Sequence, residues 1–277
     1  MLVFHPITRQ IYVESLITVY DFERPMGFYF PGETHNFWEC VFVQKGTATA
    51  TADERVYQLE AGQLLIHKPM EFHRMWTEPD CAPWIANVSF HARGELLKQL
   101  EGRCFSLTPM QQDQYRQIVD LMTQIIESGP YINSYQYELD LHQVAYMLEV
   151  FLLGLVGNDH LNRPRQNPND ERYRKIVQVM QDNCHKNLSL EEIADMCEMS
   201  ISNMKRVFHI YSDVGIAKYF LTLKIRKAME LLDADVPANQ VATELNFPDV
   251  AYFYTVFKRE TGITPTQYRQ TGIFRNT

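Results

Sequence analysis

The sequence predicts an α+β protein of two domains, with strands first and helices last. Two observations support this prediction. Residues 1–107 contain short runs rich in Val, Ile, Tyr and Thr separated by turns, which is typical of an all-β barrel or sandwich. Residues 188–269 contain one helix-turn-helix pattern written twice, which predicts an all-α domain.

The predicted strands are short and evenly spaced. Turns at Lys45-Gly46 and Ala61-Gly62 separate some of them. The strands are Ile11–Tyr20, Glu39–Gln44, Thr47–Thr51, Val56–Leu59, Leu64–His67 and Ile85–Phe90.

Two helices are predicted to follow the strands. Tyr115–Ile126 carries apolar residues at helical spacing and is broken by Gly129-Pro130, and Tyr135–Leu155 is a longer amphipathic helix. The second helix can either form a dimer interface or pack against its own barrel. The polar stretch 158–169 contains two prolines and is predicted to be the linker, so the domains are 1–157 and 170–277.

The first copy of the repeat shows the local signals of a helix-turn-helix unit. Ser189 and Glu192 form a capping box, and Ser200 caps the second helix. Buried positions are expected at Ile193, Met196 and Cys197, then at Met204, Val207, Phe208 and Tyr211. Another face of the second helix carries Ser202, Lys205, Arg206 and His209. That face is either a major-groove reader or an ordinary solvated surface.

The second copy repeats the buried pattern with Phe253, Val256 and Phe257. Its turn has one extra residue, and Asn246 in that turn is expected to adopt a positive φ. Its outward face is Ala251, Tyr254, Thr255 and Lys258. An uninterrupted helix over residues 218–236 is predicted to connect the two copies.

These residues resemble the DNA-binding domain of the AraC/XylS family of transcription regulators. The resemblance covers about 100 residues and is carried by Ile193-Ala194, Ser200, Met204, Arg206, Phe208, Tyr219, Arg226, Ala242, Phe247, Tyr252-Phe253, Val256-Phe257-Lys258, the run from Glu260 to Pro265, and Tyr268-Arg269. It implies that two recognition helices enter successive major-groove segments of double-stranded DNA. The implied base-reading positions are Ser202, Lys205, Arg206, Ala251, Tyr254 and Thr255. The chain departs from the family by having Thr255 in place of Arg, Ile216 in place of Pro and Glu198 in place of Gly.

The N-terminal part resembles the cupin-like sensor domain of the same family. The residues that carry this resemblance are Pro31-Gly32-Glu33, His35, Trp38-Glu39, Gly46, Gly62, Pro69 and His73. It implies a cupin-like β-barrel with a helical dimerisation segment. Metal-binding cupins use a His-x-His pair, a Glu and a later His, whereas this chain has Phe37 where the second His is expected. No metal or other cofactor is therefore predicted, and His35, Glu39 and His73 are left as three candidate ligands of an alternative metal site. A small-molecule pocket is predicted instead, formed by His35, Trp38, Glu39, His73, Trp76 and Trp84.

Charge is distributed unevenly along the 277 residues. The net charge is −8, with −9 in residues 1–157 and 0 in residues 170–277. DNA binding therefore has to depend on where charges are placed rather than on their total.

The five cysteines are scattered, which predicts thiols in a reducing compartment. No signal peptide and no membrane-spanning stretch are evident, so a cytoplasmic location is expected.

The protein is predicted to be a sequence-specific transcription regulator that responds to a small molecule. The resemblance to the family favours a sugar as this effector. The protein is expected to be a homodimer and not an enzyme, with RNA polymerase as a candidate partner. Activation is the expectation, and the sequence itself leaves repression open. One alternative is a metal-dependent cupin enzyme fused to a DNA-binding tail. Another is a DNA-binding protein whose barrel only dimerises.

Overall fold

The computed structural model describes residue 5 and residues 7–129, 135–157 and 167–271. Within these ranges the strands come first and the long helices follow, as predicted. The strands are β1 (Tyr12–Glu23), β2 (Tyr29–Glu33), β3 (Trp38–Lys45), β4 (Thr47–Ala52), β5 (Arg55–Glu60), β6 (Gln63–His67), β7 (His73–Trp76), β8 (Trp84–Arg93) and β9 (Cys104–Ser106). A short 3₁₀ helix, Glu95–Gln99, precedes β9.

The strands form two antiparallel sheets, in the orders β1-β8-β3-β6-β9 and β2-β7-β4-β5. Their inner faces share one apolar core, which includes Val41 and Val43 from the first sheet and Ala50 and Leu59 from the second. The described strands thus form two facing sheets that are not closed into one, in the cupin-like arrangement that the resemblance implied, and this unit is called the barrel. Strands β2, β7 and β9 were not predicted, because each is short and β2 contains Pro31-Gly32.

The outer face of the five-stranded sheet is covered by α1 (Pro109–Ser128) and α2 (Tyr135–Leu155). Side chains alternate along β3, so Cys40 and Phe42 face these helices while Val41 and Val43 face the other sheet. Helix α1 begins before the predicted Tyr115, because Thr108 forms a capping box and Pro109 occupies the first turn.

The C-terminal domain consists of α3 (Pro168–Asp182), α4 (Leu190–Met196), α5 (Ile201–Tyr211), α6 (Ile216–Asp233), α7 (Ala238–Glu244), α8 (Val250–Thr261) and α9 (Pro265–Thr271). Helix α3 begins inside the stretch predicted as the linker, because the Asn167 side chain caps it and Pro168 fits its first turn. The rest of the predicted linker, residues 158–166, lies outside the described residues.

The two helix-turn-helix units are α4–α5 and α7–α8, joined by α6. The predicted capping box of Ser189 and Glu192 is present, and Ser200 and Asp249 cap α5 and α8. Asn246 has a φ of 53°, as predicted, and Glu198 has a φ of 59° in the first turn. The prediction that Met196 is buried was wrong. Met196 is 43% exposed. The face of α4 that packs into the core carries Ile193, Ala194 and Cys197, and Met196 lies beside that face.

The barrel packs directly on the C-terminal domain. Val56 and Phe72 belong to the core of the first unit, and Met70 belongs to the core of the second. Asp53, only 4% exposed, forms a buried ion pair with Arg226 of α6. It also accepts a hydrogen bond from the Tyr219 hydroxyl at 3.2 Å. Isolated buried charges are costly, so this pair ties α6 to the barrel.

None of the helices in the described ranges has the length and hydropathy needed to cross a bilayer. All five cysteines are free thiols, and every one except Cys81 is buried.

Candidate DNA interface and effector cavity

Helix α5 presents the polar and basic face that the sequence predicted. Ser202, Lys205, Arg206 and His209 are all exposed, whereas Met204, Val207 and Phe208 are buried. The Arg206 guanidinium donates to the Asn203 side chain at 3.0 Å, which directs it along the helix surface. An exposed Arg on such a face has the reach and the paired donors that guanine O6 and N7 accept.

Helix α8 presents a different surface. Ala251, Thr255 and Lys258 are exposed, but Tyr254 is half-buried, with its hydroxyl 3.1 Å from that of Thr266. The Thr255 hydroxyl donates to the backbone carbonyl of Ala251 at 3.0 Å. The polar atoms of this face are therefore partly engaged within the protein.

The carboxyl end of α5 is held by the barrel. Arg74 of β7 donates to the carbonyl oxygen of Ile210 at 2.9 Å, and the Tyr29 hydroxyl of β2 bonds to Asp213 just beyond the helix. The last carbonyls of a helix lack partners within it and carry partial negative charge, so a buried cation stabilises them. Arg74 is itself packed beside the rings of Tyr29 and Trp76.

The barrel contains a cavity of about 310 Å³. Its apolar wall includes Phe28, Phe30, Val41, Met75 and Ile85. Its polar lining comprises Tyr20, Arg24, Glu33, Glu39, His67, His73, Arg74 and Asn87. Apolar walls with a few fixed polar groups are characteristic of small-molecule sites. A larger cleft of about 690 Å³ between the barrel and α6 is lined mainly by charged side chains of both signs.

Several polar atoms around the barrel cavity are buried without a hydrogen-bond partner among the described residues. They are Arg24 Nε, Arg74 Nε, His73 Nε2 and Asn87 Oδ1. Buried polar groups are normally paired, and each unpaired one costs roughly 1–3 kcal/mol. A ligand that satisfied these atoms would have to supply both acceptors and a donor.

Two of the six predicted effector residues, Glu39 and His73, line this cavity. His35 lies beside them, with its ring 4.7 Å from that of His73. These three residues come from different elements: Glu39 is on β3, His73 is on β7 and His35 precedes β3.

The three predicted tryptophans do not line the cavity, which corrects the sequence prediction. Trp38 is next to Glu39 on β3, so it points to the opposite face, where its Nε1 donates to Ala92 O at 3.2 Å. Trp76 packs against Tyr211 in the C-terminal domain. Trp84 precedes the inward-facing Ile85, and its Nε1 donates to Asp21 at 2.6 Å on the outside.

Sequence reasoning missed Arg24, Arg74 and Asn87. Asn87 could have been found by continuing the alternation of β8 inward from Ile85. The two arginines carry no local signal, because they reach the cavity only through the packing of the sheets.

The charges in the cavity are coupled. Burial alone raises the pKa of Glu39, but the nearby His35 and His73 outweigh it and hold that pKa well below its usual range. Burial alone lowers the pKa of His73, but the carboxylates of Glu33 and Glu39 outweigh it and raise that pKa to about 10. The Glu39 carboxylate lies 3.3 Å from His73 Nε2, close enough for an ion pair although the two groups are not aligned for a hydrogen bond.

Comparison with known proteins matches both domains. Residues 18–133 match the model of the AraC-like ligand binding domain, and residues 193–271 match a helix-turn-helix domain. The transcriptional activator RhaS of Enterobacter sp. (strain 638) is 24% identical over 255 residues, covering 87% of this chain and 88% of the relative. RhaS of Klebsiella pneumoniae (strain 342) is 25% identical over 257 residues with the same coverage. Among solved structures, a ToxT variant from Vibrio cholerae strain SCE256 aligns with a TM-score of 0.40 and 14% identity, covering 93% of this chain and 97% of that one.

A ligand-binding barrel joined to two helix-turn-helix units defines a DNA-binding regulator that responds to an effector. The chain belongs to the AraC/XylS family of transcription regulators. The members of this family bind DNA and are not enzymes, so the alternative of a cupin enzyme with a DNA-binding tail is set aside.

Proposed function

We propose that this protein is a cytoplasmic transcription activator that reads double-stranded DNA mainly with α5 and is controlled by a small polar effector in the barrel cavity. The observation that carries the proposal is the position of Arg74. Arg74 lies on β7 between His73 and Met75, which face the cavity, and its guanidinium bonds to the carboxyl end of α5 on the other side of the strand. One strand therefore contacts both the effector space and the first recognition helix.

Arg74 provides a route from effector to DNA through β7. Its neighbours His73 and Met75 face the cavity, while its Nη1 bonds to Ile210 O. An effector that shifts His73 and Met75 moves β7 and the Arg74 guanidinium, and with them the contacts at the end of α5. A ligand shifts a conformational equilibrium only through such a difference in contacts. This link also favours effector control over a barrel that only dimerises.

The cavity chemistry suits an uncharged molecule with several hydroxyl groups, such as a sugar. Phe28 and Phe30 offer an apolar wall, and the unpartnered atoms of Arg24 and Asn87 offer a donor and an acceptor. Cationic and anionic side chains are both present in the lining, so a strongly charged ligand is not favoured.

A panel of monosaccharides tests this proposal by thermal shift and by operator binding. We expect at least one sugar to raise the Tm of the wild type, and to raise the Tm of Asn87→Leu much less. The same sugar should change the affinity of the wild type for its operator but leave that of Arg74→Gln unchanged. If no sugar raises the Tm, the effector class is wrong. If Arg74→Gln still responds fully, the proposed route is wrong.

The proposed assembly is a homodimer formed through α2. One face of this helix is buried against the barrel through Val144, Leu148 and Leu152. The other face carries a line of exposed residues at helical spacing, of which Tyr146 is contacted by Arg9: Tyr135, Leu139, His142, Tyr146, Val150 and Leu153. Val150 alone is 62% exposed. An apolar line of this kind marks an interaction surface.

Sedimentation of the wild type at micromolar concentration tests the dimer. Val150→Glu places a charge in the middle of the exposed line and is expected to give a monomer. Gln117→Glu adds the same charge to the exposed surface of α1 and should leave the dimer intact. A monomeric wild type, with and without effector, contradicts the proposal.

Activation is proposed because the RhaS relatives are named transcriptional activators. An activator needs a contact with RNA polymerase, which makes the polymerase a proposed partner. A reporter gene placed behind the operator should be expressed more strongly with the protein than without it, and lower expression would indicate a repressor.

A further inference from the structure

We propose that Glu33, His35, Glu39 and His73 form a binding site for a divalent first-row transition metal inside the barrel. The sequence predicted no metal here. The structure, however, places one ligand atom each from Glu33, His35 and His73 within 4.8 Å of one another. Glu39 lies against the same two histidines.

The separations between the side chains suit a shared ion. His73 Nε2 lies 3.3 Å from Glu39 Oε2 and 3.7 Å from Glu33 Oε1, and His35 Nε2 lies 3.8 Å from Glu39 Oε2. A metal bound at about 2.0–2.2 Å from nitrogen and oxygen holds neighbouring ligand atoms roughly 3–3.6 Å apart. These three separations are within a few tenths of an ångström of that range, and the ligand atoms of Glu33, His35 and His73 all lie within 4.8 Å of one another.

The histidines are oriented as metal ligands are. His35 Nδ1 lies 3.0 Å from Phe37 O, and His73 Nδ1 lies 3.2 Å from Glu71 O. A carbonyl can only accept, so both Nδ1 atoms carry the proton, and in the neutral rings both Nε2 atoms present a lone pair. Both Nε2 atoms are buried without a hydrogen-bond partner among the described residues, and His73 is only 4% exposed. Metal-binding histidines typically donate their other ring N–H in this way.

The backbone holds these ligands in place. Glu33 and His73 are direct partners in the pairing of β2 with β7. Gly32, just before Glu33, has a φ of 99°, and a Cβ there would lie 2.9 Å from His73 O. Only glycine permits this close approach, which brings the two strands together at the site. On β3, Glu39 Oε1 accepts a hydrogen bond from Asn87 at 3.0 Å, which fixes the carboxylate.

The proposed site uses a different spacing from the one expected of metal-binding cupins. A second ligand was sought two residues after His35, at Phe37. The Phe37 ring instead stacks on His35, with centroids 3.7 Å apart. The partner is Glu33, two residues before His35. The pair is thus Glu-x-His in place of His-x-His.

Two imidazoles and two carboxylates are borderline-to-hard ligands, which suit Zn²⁺, Fe²⁺, Mn²⁺ or Ni²⁺. The site faces the effector cavity, so the bound ion can orient a hydroxyl of the effector. The metal proposal itself does not depend on the effector being a sugar or on DNA binding.

Cobalt binding tests the proposal, since Co²⁺ reports its ligands by visible absorption. Full-length protein stripped with a chelator is titrated with Co²⁺ and then with Zn²⁺ in competition. We expect one Co²⁺ per chain, with ligand-field bands and displacement by Zn²⁺. Glu33→Gln and His35→Gln should each weaken binding by at least about tenfold. The Glu33 side chain is 52% exposed, so its replacement should not unfold the barrel.

His185→Gln is the matched control, because it removes an exposed histidine of the C-terminal domain. It should bind Co²⁺ as the wild type does. The proposal is overturned if the wild type shows no ligand-field bands, if Glu33→Gln and His35→Gln bind as tightly as the wild type, or if thiolate-to-cobalt charge transfer shows that the free cysteines are the ligands. Operator binding measured on the same preparations keeps a failure of the metal site distinct from a failure of the regulator.

Discussion

The two helix-turn-helix units share a scaffold and differ in what that scaffold presents. Met204, Val207 and Phe208 in α5 correspond to Phe253, Val256 and Phe257 in α8, and all six are buried. Both turns contain a residue with positive φ, at Glu198 and Asn246. The buried residues and turns preserve the unit, which leaves the exposed face of each recognition helix free to diverge.

That divergence is sharpest at one pair of equivalent positions. Arg206 of α5 corresponds to Thr255 of α8. Arg206 is exposed and its guanidinium has paired donors. The Thr255 hydroxyl instead donates a hydrogen bond to the backbone carbonyl of Ala251. Direct base readout is therefore expected from the first unit. The second, with exposed Lys258 and Arg259, is expected to act through phosphate contacts that position the protein.

The units also differ in how the barrel contacts them. The barrel contributes Val56 and Phe72 to the first core and holds the end of α5 through Arg74. It contributes Met70 to the second core. The unit that is expected to read the DNA sequence is therefore also the one that makes more contacts with the barrel.

The largest effect is expected from breaking the contact between the barrel and α6, which links the units. Asp53→Ala leaves Arg226 buried without its partner and should lower the free energy of unfolding by about 3–5 kcal/mol. Chemical denaturation measures this loss. Glu78→Ala, an exposed acid of the same domain, should change stability by less than about 0.5 kcal/mol. Equal losses in the two variants would show that the ion pair does not join the domains.

The next effect separates the two recognition helices. Arg206→Ala should cost about 1–3 kcal/mol in operator binding, because a bidentate base contact is lost. Thr255→Ala should cost less than about 0.5 kcal/mol, because its hydroxyl is already bonded inside the helix. Fluorescence anisotropy with a labelled operator compares them, and the Tm of each variant checks the fold. Unchanged affinity in Arg206→Ala would remove the main support for the first unit as the reader.

A smaller effect should come from restoring the family residue in the second unit. Thr255→Arg supplies the donors that α8 lacks and should tighten operator binding by about 1 kcal/mol where a guanine lies beneath it. Thr255→Gln is the uncharged control and should gain less. If both variants bind alike, charge at this position contributes nothing.

The sequence predicted the helix-turn-helix units well because their signals are local. Capping at Ser189 and Ser200 and the turn at Asn246 depend on neighbours a few residues away, and all three are found. The cavity was predicted poorly because its lining comes from strands brought together only in the fold. Trp38 was predicted to line the cavity, although its neighbour Glu39 on β3 faces inward and Trp38 therefore faces outward. Arg74 could not be found, since its role depends on the packing of β7 against α5.

The most direct test of whether α5 contributes more base specificity than α8 is a selection of binding sites from random DNA. The two recognition helices should occupy segments about one helical turn, roughly 10 base pairs, apart. We expect strong base preference in the segment under α5, where each mismatch costs about 1–3 kcal/mol, and weak preference in the other. Equal information in both segments would contradict the conclusion that α5 specifies and α8 positions.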